Sequence, residues 1–514
     1  MKKIYIKNAF ALFLGIVLGM TVIMSCSDSF LEEERTPNSL SPNIFWKTED
    51  DIMKGLTAAY ASLQPNADWA IPFERYFVID NYRSDEIDFR ADVSSWMNIA
   101  MFTNDSQNSV TGTEWENLYK GINYANQCID NIPNVSEGGS NLENLKSQAI
   151  AEARFLRAYY YYRLYLNYGE RVPIFLHEIE GTEEDFSPSQ AEKGEIIKLI
   201  ESELTEIQGD LPESYPNNDS GRITNYAAAA LLGKFYMFQK EFKKAEMEFE
   251  KLIDNFELLE NYGDNFTGLH KNNKESILEV QFSGNSEGGH TESTVITIHL
   301  ASFPAFDGGY EEAYPSDWLF NLLKQDKTVE GKFSDRLYST IIFDDPHSRP
   351  SYYGEGESFS DYHNEGEIFW NKFVSWDSSL SPEWDISGFN IPLIRYSDIL
   401  LLYAECLNNR GATSEAVNYI NQVRSRVNVP TLPTSMDKEE VLKHLQEVER
   451  PSELALEGSR WYDLIRWGGV KETLENHDKP FVGNYIDSKH NLFPIPHSEF
   501  LLNPEWEQNP GFSK

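Results

Sequence analysis

The sequence predicts a mainly α-helical protein that carries one large irregular insert. Apolar residues recur at helical spacing through the first half of the chain and again near its C-terminus. Two stretches match the tetratricopeptide pattern of paired helices. The helical rhythm stops between Ser283 and Pro392, where Gly, Ser, Asp, Pro and aromatic residues are frequent. We therefore expect tetratricopeptide-like helix pairs that form a curved scaffold, about residues 46–282 and 393–514, and a loop-rich insert with short strands, about residues 283–392.

The N-terminal segment has the pattern of a lipoprotein signal peptide. Residues 1–25 combine a basic start with an apolar run, and the Ile-Met-Ser before Cys26 matches a lipobox, in which the cysteine thiol accepts a diacylglycerol. An uncleaved transmembrane anchor is the alternative, but the run is shorter than the roughly 20 residues that span a bilayer. We expect a signal peptide at 1–25, a lipidated tether at 26–45 and a single domain at 46–514.

Helix signals begin directly after the tether. Thr48 has the character of an N-cap, with an acid, Asp51, three residues later. Apolar residues at helical spacing follow it, and the same spacing recurs in residues 114–131, 141–167 and 195–207. Each of these stretches is expected to bury one face.

Two tetratricopeptide-like pairs are predicted from small and large residues at fixed offsets. The small residues let two helices approach closely and the large ones fill the remaining space. These positions are Leu232, Gly233, Tyr236, Phe242, Ala245 and Phe249 in the first pair, and Leu400, Tyr403, Ala404, Leu407, Ala416, Ile420 and Val423 in the second.

The insert is too long to be an ordinary loop in a compact domain, and such regions are usually functional. Short β-branched runs predict strands at residues 277–282, 295–300 and 337–343. Near the C-terminus, charges of opposite sign follow one another three residues apart, at Glu457, Arg460, Asp463 and Arg466. At helical spacing these charges are expected to pair with one another.

Composition and motifs exclude several functions. The chain has 82 acidic and 44 basic residues, a net charge of −38, which repels nucleic-acid backbones. No nucleophile elbow, zinc-protease motif, P-loop or dinucleotide fingerprint occurs, and the ten histidines are dispersed. Carboxylates are abundant, but a sequence does not reveal the separations that a glycosidase requires. We expect no enzyme activity, no cofactor and no metal site.

Several blocks of sequence form one ordered pattern: F-W-K-T-E-D-D-I at 45–52, R-A-Y-Y-Y-Y-R-L-Y-L-N-Y-G at 157–169, the block at 449–468 that contains G-S-R-W-Y-D-L-I-R-W-G, L-F-P-I-P at 492–496 and N-P-E-W-E-Q-N-P-G-F at 503–512. Together these blocks resemble the SusD/RagB family of outer-membrane glycan-capturing lipoproteins. The resemblance implies an arc of helix pairs under a loop-rich ligand face. It also implies surface exposure on the outer membrane and a SusC-like TonB-dependent transporter as partner.

The resemblance places the glycan site where two segments meet. Sugar rings need flat aromatic faces beside carboxylates, amides and guanidinium groups. From the first segment the candidates are Arg83, Asp85, Trp96 and Asn98; from the insert they are Tyr310 and Trp318. Structural alternatives remain open, with Trp96 in the core and Arg83 paired locally with Asp85.

The sequence thus predicts a protein that captures an oligosaccharide or polysaccharide and passes it to the transporter. Two other functions remain as alternatives. One is a subunit that gates the transporter and binds a peptide or no glycan, and the other is a surface glycosidase. The identity of the sugar is not determined by the sequence.

Overall fold

The structure is a computed structural model that describes residues 45–64, 71–179, 187–216, 219–284, 293–303, 309–348, 350, 353, 355–374 and 387–514. The predicted signal peptide, Cys26 and the predicted tether lie outside these residues, apart from Phe45. Within the described part of the chain, every helix is too short or too polar to cross a bilayer.

Helices form most of the structure, as the sequence predicts. They are α1 (Glu49–Ala61), α2 (Ile71–Phe73), α3 (Ile79–Asn81), α4 (Ser94–Ala100), α5 (Ser109–Asn131), α6 (Leu142–Tyr168), α7 (Glu195–Glu206), α8 (Asn225–Phe238), α9 (Phe242–Glu250), α10 (Ile296–Leu300), α11 (Asp317–Gln325), α12 (Asp335–Thr340), α13 (Tyr396–Asn409), α14 (Thr413–Arg426), α15 (Lys438–His444), α16 (Arg450–Leu454), α17 (Arg460–Trp467), α18 (Val470–Asn476), α19 (Asp487–His490) and α20 (His497–Leu502). Single π-helical turns, Glu74–Val78 and Leu445–Glu449, connect α2 to α3 and α15 to α16. Short 3₁₀ turns lie at Ile132–Asn134, Ile207–Gly209, Tyr262–Phe266, Phe359–Asp361 and Val482–Asn484.

The strands are short and pair in antiparallel couples. They are β1 (Ile87–Phe89), β2 (Ser276–Val280), β3 (Ala313–Pro315), β4 (Ile341–Ile342), β5 (Phe369–Trp370) and β6 (Ile391–Arg395). Strand β1 pairs with β3, β2 with β6 and β4 with β5. The pairing of β1 with β3 joins the first candidate segment directly to the insert, with Asp88 opposite Tyr314.

Both predicted tetratricopeptide-like pairs form. Helix α8 packs on α9 and α13 on α14, and the predicted contact residues are buried, except for Phe242, which is partly buried. Gly233 is necessary for the first pair, because a Cβ at this position would lie 2.4 Å from the Phe249 ring. Helix α1 begins with the predicted capping box, in which Asp51 bonds back to the backbone of Thr48. The fold-class prediction is confirmed.

Two of the three predicted strands are wrong in whole or in part. Residues 277–282 largely form β2, but residues 295–300 contain the helix α10. Residues 337–343 divide between the end of α12 and the two-residue strand β4. In α10 every residue is buried, so the β-branched run has no solvent-facing side to alternate with, and tertiary packing overrides local propensity.

The charges of the C-terminal block pair mostly across the fold, which corrects the expectation of pairing along one helix. Asp463 does bond Arg466 at 2.8 Å, but it also bonds Arg450 at 2.7 Å. Glu457 instead accepts from Arg395 and Lys372, each at 2.7 Å. The side chains are buried, and a buried charge requires a partner wherever the fold supplies one.

Candidate functional site

Trp96 is in the core, and its contacts connect the two candidate segments. It lies on α4 with 4% of its surface exposed, and its indole Nε1 donates to Glu74 Oε1 at 2.7 Å. Its ring centre is 5.7 Å from that of His299 on α10, and His299 is in turn 5.5 Å from the half-buried Tyr310. The fold therefore brings Trp96 and Tyr310 to one aromatic cluster, and the environment of Trp96 matches the structural alternative.

Arg83 and Asp85 are both buried, and their side chains do not pair with each other. The Arg83 guanidinium lies 4.5 Å from the Trp461 ring centre and 3.9 Å from that of Phe493, and burial lowers its pKa to about 10. Asp85 accepts two bonds from Arg460, at 2.8 and 2.7 Å. The alternative of a local Arg83–Asp85 ion pair is thus wrong, because each side chain has partners in the C-terminal part of the chain.

Asn98 is exposed, and its side-chain oxygen accepts a bond from the Thr103 hydroxyl at 3.2 Å. Trp318 is half-buried at the start of α11 and stacks on His477, with ring centres 4.0 Å apart and planes at 14°. The guanidinium of Arg460 is 5.0 Å from the Trp318 ring centre. Trp318 is therefore held in place by His477 and Arg460.

An open cleft of about 540 Å³ lies where the first segment meets the insert. Aromatic side chains and carboxylates line it together: Phe303, Tyr314, Tyr362, His363, Phe369, Asp88, Glu311, Asp317 and Glu367. Phe303 is 70% exposed at its rim. Neither Tyr310 nor Trp318, the insert aromatics singled out from the sequence, lines this cleft, because a list of aromatics does not show which of them face solvent together.

Strand pairing and stacking fix the walls of the cleft. Tyr314 is held by β3, and its hydroxyl donates to Glu311 Oε2 at 3.2 Å. Tyr362 stacks on Tyr353, with ring centres 4.9 Å apart and planes at 5°. Phe369 on β5 packs beside Tyr314 at 6.1 Å between ring centres. Ordered aromatic faces beside hydrogen-bond acceptors are the chemistry that recognises a sugar ring.

Two family models match the chain, and the residues that line the cleft lie within the matched segments. The model of the SusD family matches residues 274–512, and one described as starch-binding associating with outer membrane matches residues 30–237. The chain belongs to the SusD family. The resemblance inferred from the sequence blocks is thereby confirmed.

Known SusD-family relatives correspond to nearly the whole chain. SusD-like protein P38 of Formosa agariphila is 26% identical over 99% of this chain and 99% of its own. A solved SusD superfamily protein from Bacteroides vulgatus is 26% identical with a TM-score of 0.77, covering 91% of this chain and all of its own. A solved laminarin-binding SusD-like protein is 25% identical with a TM-score of 0.75 and the same coverage.

A second groove of about 410 Å³ adjoins the cleft of this SusD-family protein. Asp88 and Asp317 line both spaces, and Trp318, Asn321, His477 and Lys479 belong to the groove alone. The sequence-predicted Trp318 thus lies next to the cleft, on the far side of the two shared carboxylates. Among the described residues, no cluster of metal-ligating side chains occurs.

Burial sets the protonation of the groups around the cleft. It raises the pKa of Asp88 and lowers the pKa of His363. Burial also raises the pKa of Glu312, which directly precedes β3, to about 7. His477 differs: burial lowers its pKa, but hydrogen bonds to Asp85 and Glu447 raise it overall. The lowered pKa of His363 favours a neutral imidazole in the cleft, and hydrogen bonds from Asn364 lower the pKa of the Glu367 carboxyl.

Proposed function

We propose that this SusD-family protein is a lipid-anchored, surface-exposed protein of the outer membrane that captures an oligosaccharide in the aromatic cleft. It then delivers the glycan to a SusC-like TonB-dependent transporter, and it breaks no bond. In this proposal residues 46–514 act as one domain, and Cys26 carries the lipid. The family descriptions support binding of starch-like glycans at the outer membrane.

One observation carries the proposal. The first segment and the insert meet through the β1–β3 pairing, and aromatic faces and carboxylates line the cleft at that junction. A half-exposed ring such as Tyr362, backed by Tyr353, is already ordered before ligand arrives. Binding then requires little further ordering of side chains, which favours reversible capture. The laminarin-binding relative makes a neutral glucan the natural first probe.

Calorimetry with the soluble protein from about Ser27 and laminarin oligosaccharides tests the proposal. Tyr362→Ala should weaken binding about tenfold or more, as expected for a central aromatic contact, while the melting temperature changes little. Tyr124→Ala is the matched control, because Tyr124 is a partly exposed tyrosine on α5, outside the cleft.

Different outcomes separate the alternatives. If a broad panel of glycans fails to bind while the protein still co-purifies with its transporter, the protein is a gating subunit. Release of reducing ends from a bound glycan would show that it is a glycosidase. Full affinity in a stable Tyr362→Ala protein would show that the glycan does not bind in this cleft.

A further inference from the structure

The charged side chains that line the cleft, as far as the structure describes it, are carboxylates. Four carboxylates line the cleft: Asp88, Glu311, Asp317 and Glu367. Among the described residues, no Lys or Arg side chain lines the cleft, and none of these four carboxylates forms an ion pair. The surrounding sequence has the same sign, since residues 283–392 contain 19 acidic and 6 basic residues. The two most buried of those bases, Arg336 and Lys372, are bound in internal ion pairs.

The cations nearest to the groove are already occupied. The buried Lys479 Nζ donates to the Ile87 carbonyl at 2.7 Å, and burial lowers its pKa to about 8. His477 bridges Asp85 at 2.6 Å and Glu447 at 3.2 Å. Outside the groove, Arg90 at the end of β1 is held by Asp92 and by the carbonyl of Tyr310. These cations are therefore committed to protein acceptors before a ligand binds.

Asp88 occupies the junction of the two spaces and has a free acceptor. Its Oδ1 is buried and has no hydrogen-bond partner among the described residues. A buried carboxylate oxygen without a donor is costly, and once the Asp88 side chain turns this oxygen toward the cleft, a ligand hydroxyl or ammonium that donates to it removes that cost. A ligand carboxylate or sulfate at the same place would leave the oxygen unsatisfied and add like-charge repulsion.

We propose that the cleft and groove form one continuous site that selects glycans by charge, accepting neutral or amino-bearing sugars and rejecting uronate and sulfated ones, with Asp88 as a residue that determines this specificity. The inference rests on the proposed function, because it assigns the ligand class of the same site. A chain of sugar units would extend from the aromatic faces of the cleft past Asp88 to Trp318. The net charge of −38 on the whole chain acts in the same direction by lowering the encounter rate with polyanions.

A panel of soluble oligosaccharides tests the inference by calorimetry at low and at physiological ionic strength. The probes are laminarin and dextran fragments as neutral glycans, chitosan fragments as amino-bearing ones, and alginate and carrageenan fragments as uronate and sulfated ones. We expect measurable binding only among the neutral and amino-bearing probes. The highest affinity for an alginate or carrageenan fragment would overturn the charge selection and leave glycan capture intact. No binding to any glycan would contradict the proposed function itself.

Variants that neutralise lining carboxylates test whether these residues determine the preference for neutral over anionic glycans. Asp88→Asn and Glu367→Gln together should reduce the ratio of neutral to anionic affinity by about tenfold at low salt. Glu439→Gln is the matched control, because Glu439 is an exposed acid on α15 and the substitution changes net charge away from the site. An unchanged ratio in a folded double variant, or an equal change in the control, would show that the lining carboxylates do not determine specificity.

Discussion

Arg460 and Asp85 form a two-point ion pair across 375 residues of sequence, with Nε to Oδ1 at 2.8 Å and Nη2 to Oδ2 at 2.7 Å. Both side chains are buried. The pair fastens the start of α17 to the segment that leads into β1. The same guanidinium lies beside Trp318, so one contact supports the family's C-terminal block and the wall of the groove.

Breaking this pair from one side should destabilise the protein strongly. Arg460→Leu leaves the Asp85 carboxylate buried with only His477 as a charged partner, and removing one partner of a buried pair typically costs about 3–5 kcal/mol. The free energy of unfolding in urea measures the loss. Arg410→Leu, which breaks half-exposed pairs with Glu246 and Glu415, should cost no more than about 1 kcal/mol. Equal losses in the two variants would contradict the structural role of the pair.

Acid should unfold the protein as buried carboxylates become protonated. Although burial raises them, neighbouring arginines hold the pKa of Glu453 at about 2 and that of Glu449 below its usual range. A folded pKa below the unfolded value near 4.3 contributes stability above that value, which is lost as pH falls toward 2. Burial raises the pKa of Glu86 to about 8, so this group weakens the fold as pH rises from about 4.3 to 8.

Ionisation of Glu449 and Glu453 stabilises the fold, whereas ionisation of Glu86 destabilises it. We therefore predict maximal stability near pH 5 and a steep fall in stability below about pH 4. Melting temperatures from pH 3 to pH 8 at constant ionic strength measure the profile. A flat profile between pH 5 and pH 3 would show that the buried carboxylates are not held in the ionised form by their arginines.

Gly233→Leu should destabilise the first helix pair, because even a Cβ there would meet the Phe249 ring at 2.4 Å. Overpacking of this kind costs about 1–3 kcal/mol. Gly112→Ala is the control: it lies within α5, and a Cβ there meets nothing within 4 Å, so the substitution should be neutral or stabilising. An unchanged melting temperature in Gly233→Leu would mean that α8 and α9 are not packed in this register.

Trp96→Ala should behave as a core truncation. The ring is buried among Phe73, Tyr82 and His299, and removing such a side chain costs about 3–5 kcal/mol. Denaturant unfolding measures this cost, and calorimetry on the remaining folded protein should give near-normal glycan affinity. A fully stable variant that no longer binds glycan would instead show that Trp96 belongs to the ligand site.

Cys26→Ala should give a folded protein that is no longer attached to lipid. Each buried methylene of an acyl chain contributes on the order of 0.8 kcal/mol to membrane retention. Fractionation of cells that lack the transporter partner provides the measurement, with the wild-type chain as control. Retention of the variant in the outer-membrane fraction would show that lipidation is not the anchor.

The sequence by itself determined the features that depend on local pattern. Periodicity and small residues such as Gly233 identified the helix pairs, because residues three and four positions apart lie on the same face of a helix. The capping box at Thr48 fixed the start of α1 for the same reason. The sequence blocks between residues 45 and 512 were sufficient to identify the family, and the expected function followed from the family.

Only the tertiary structure decided which side chains share a surface and which are buried. Arg83 was the alternative partner for Asp85, but the partner that Asp85 has comes from α17, because a buried carboxylate pairs with whichever guanidinium the fold brings to it. Trp96 and Tyr362 are both aromatic residues in polar stretches, yet one is in the core and the other lines the cleft. Their difference arises from non-local contacts, Glu74 and His299 around Trp96 and Tyr353 behind Tyr362, which no spacing along the chain encodes.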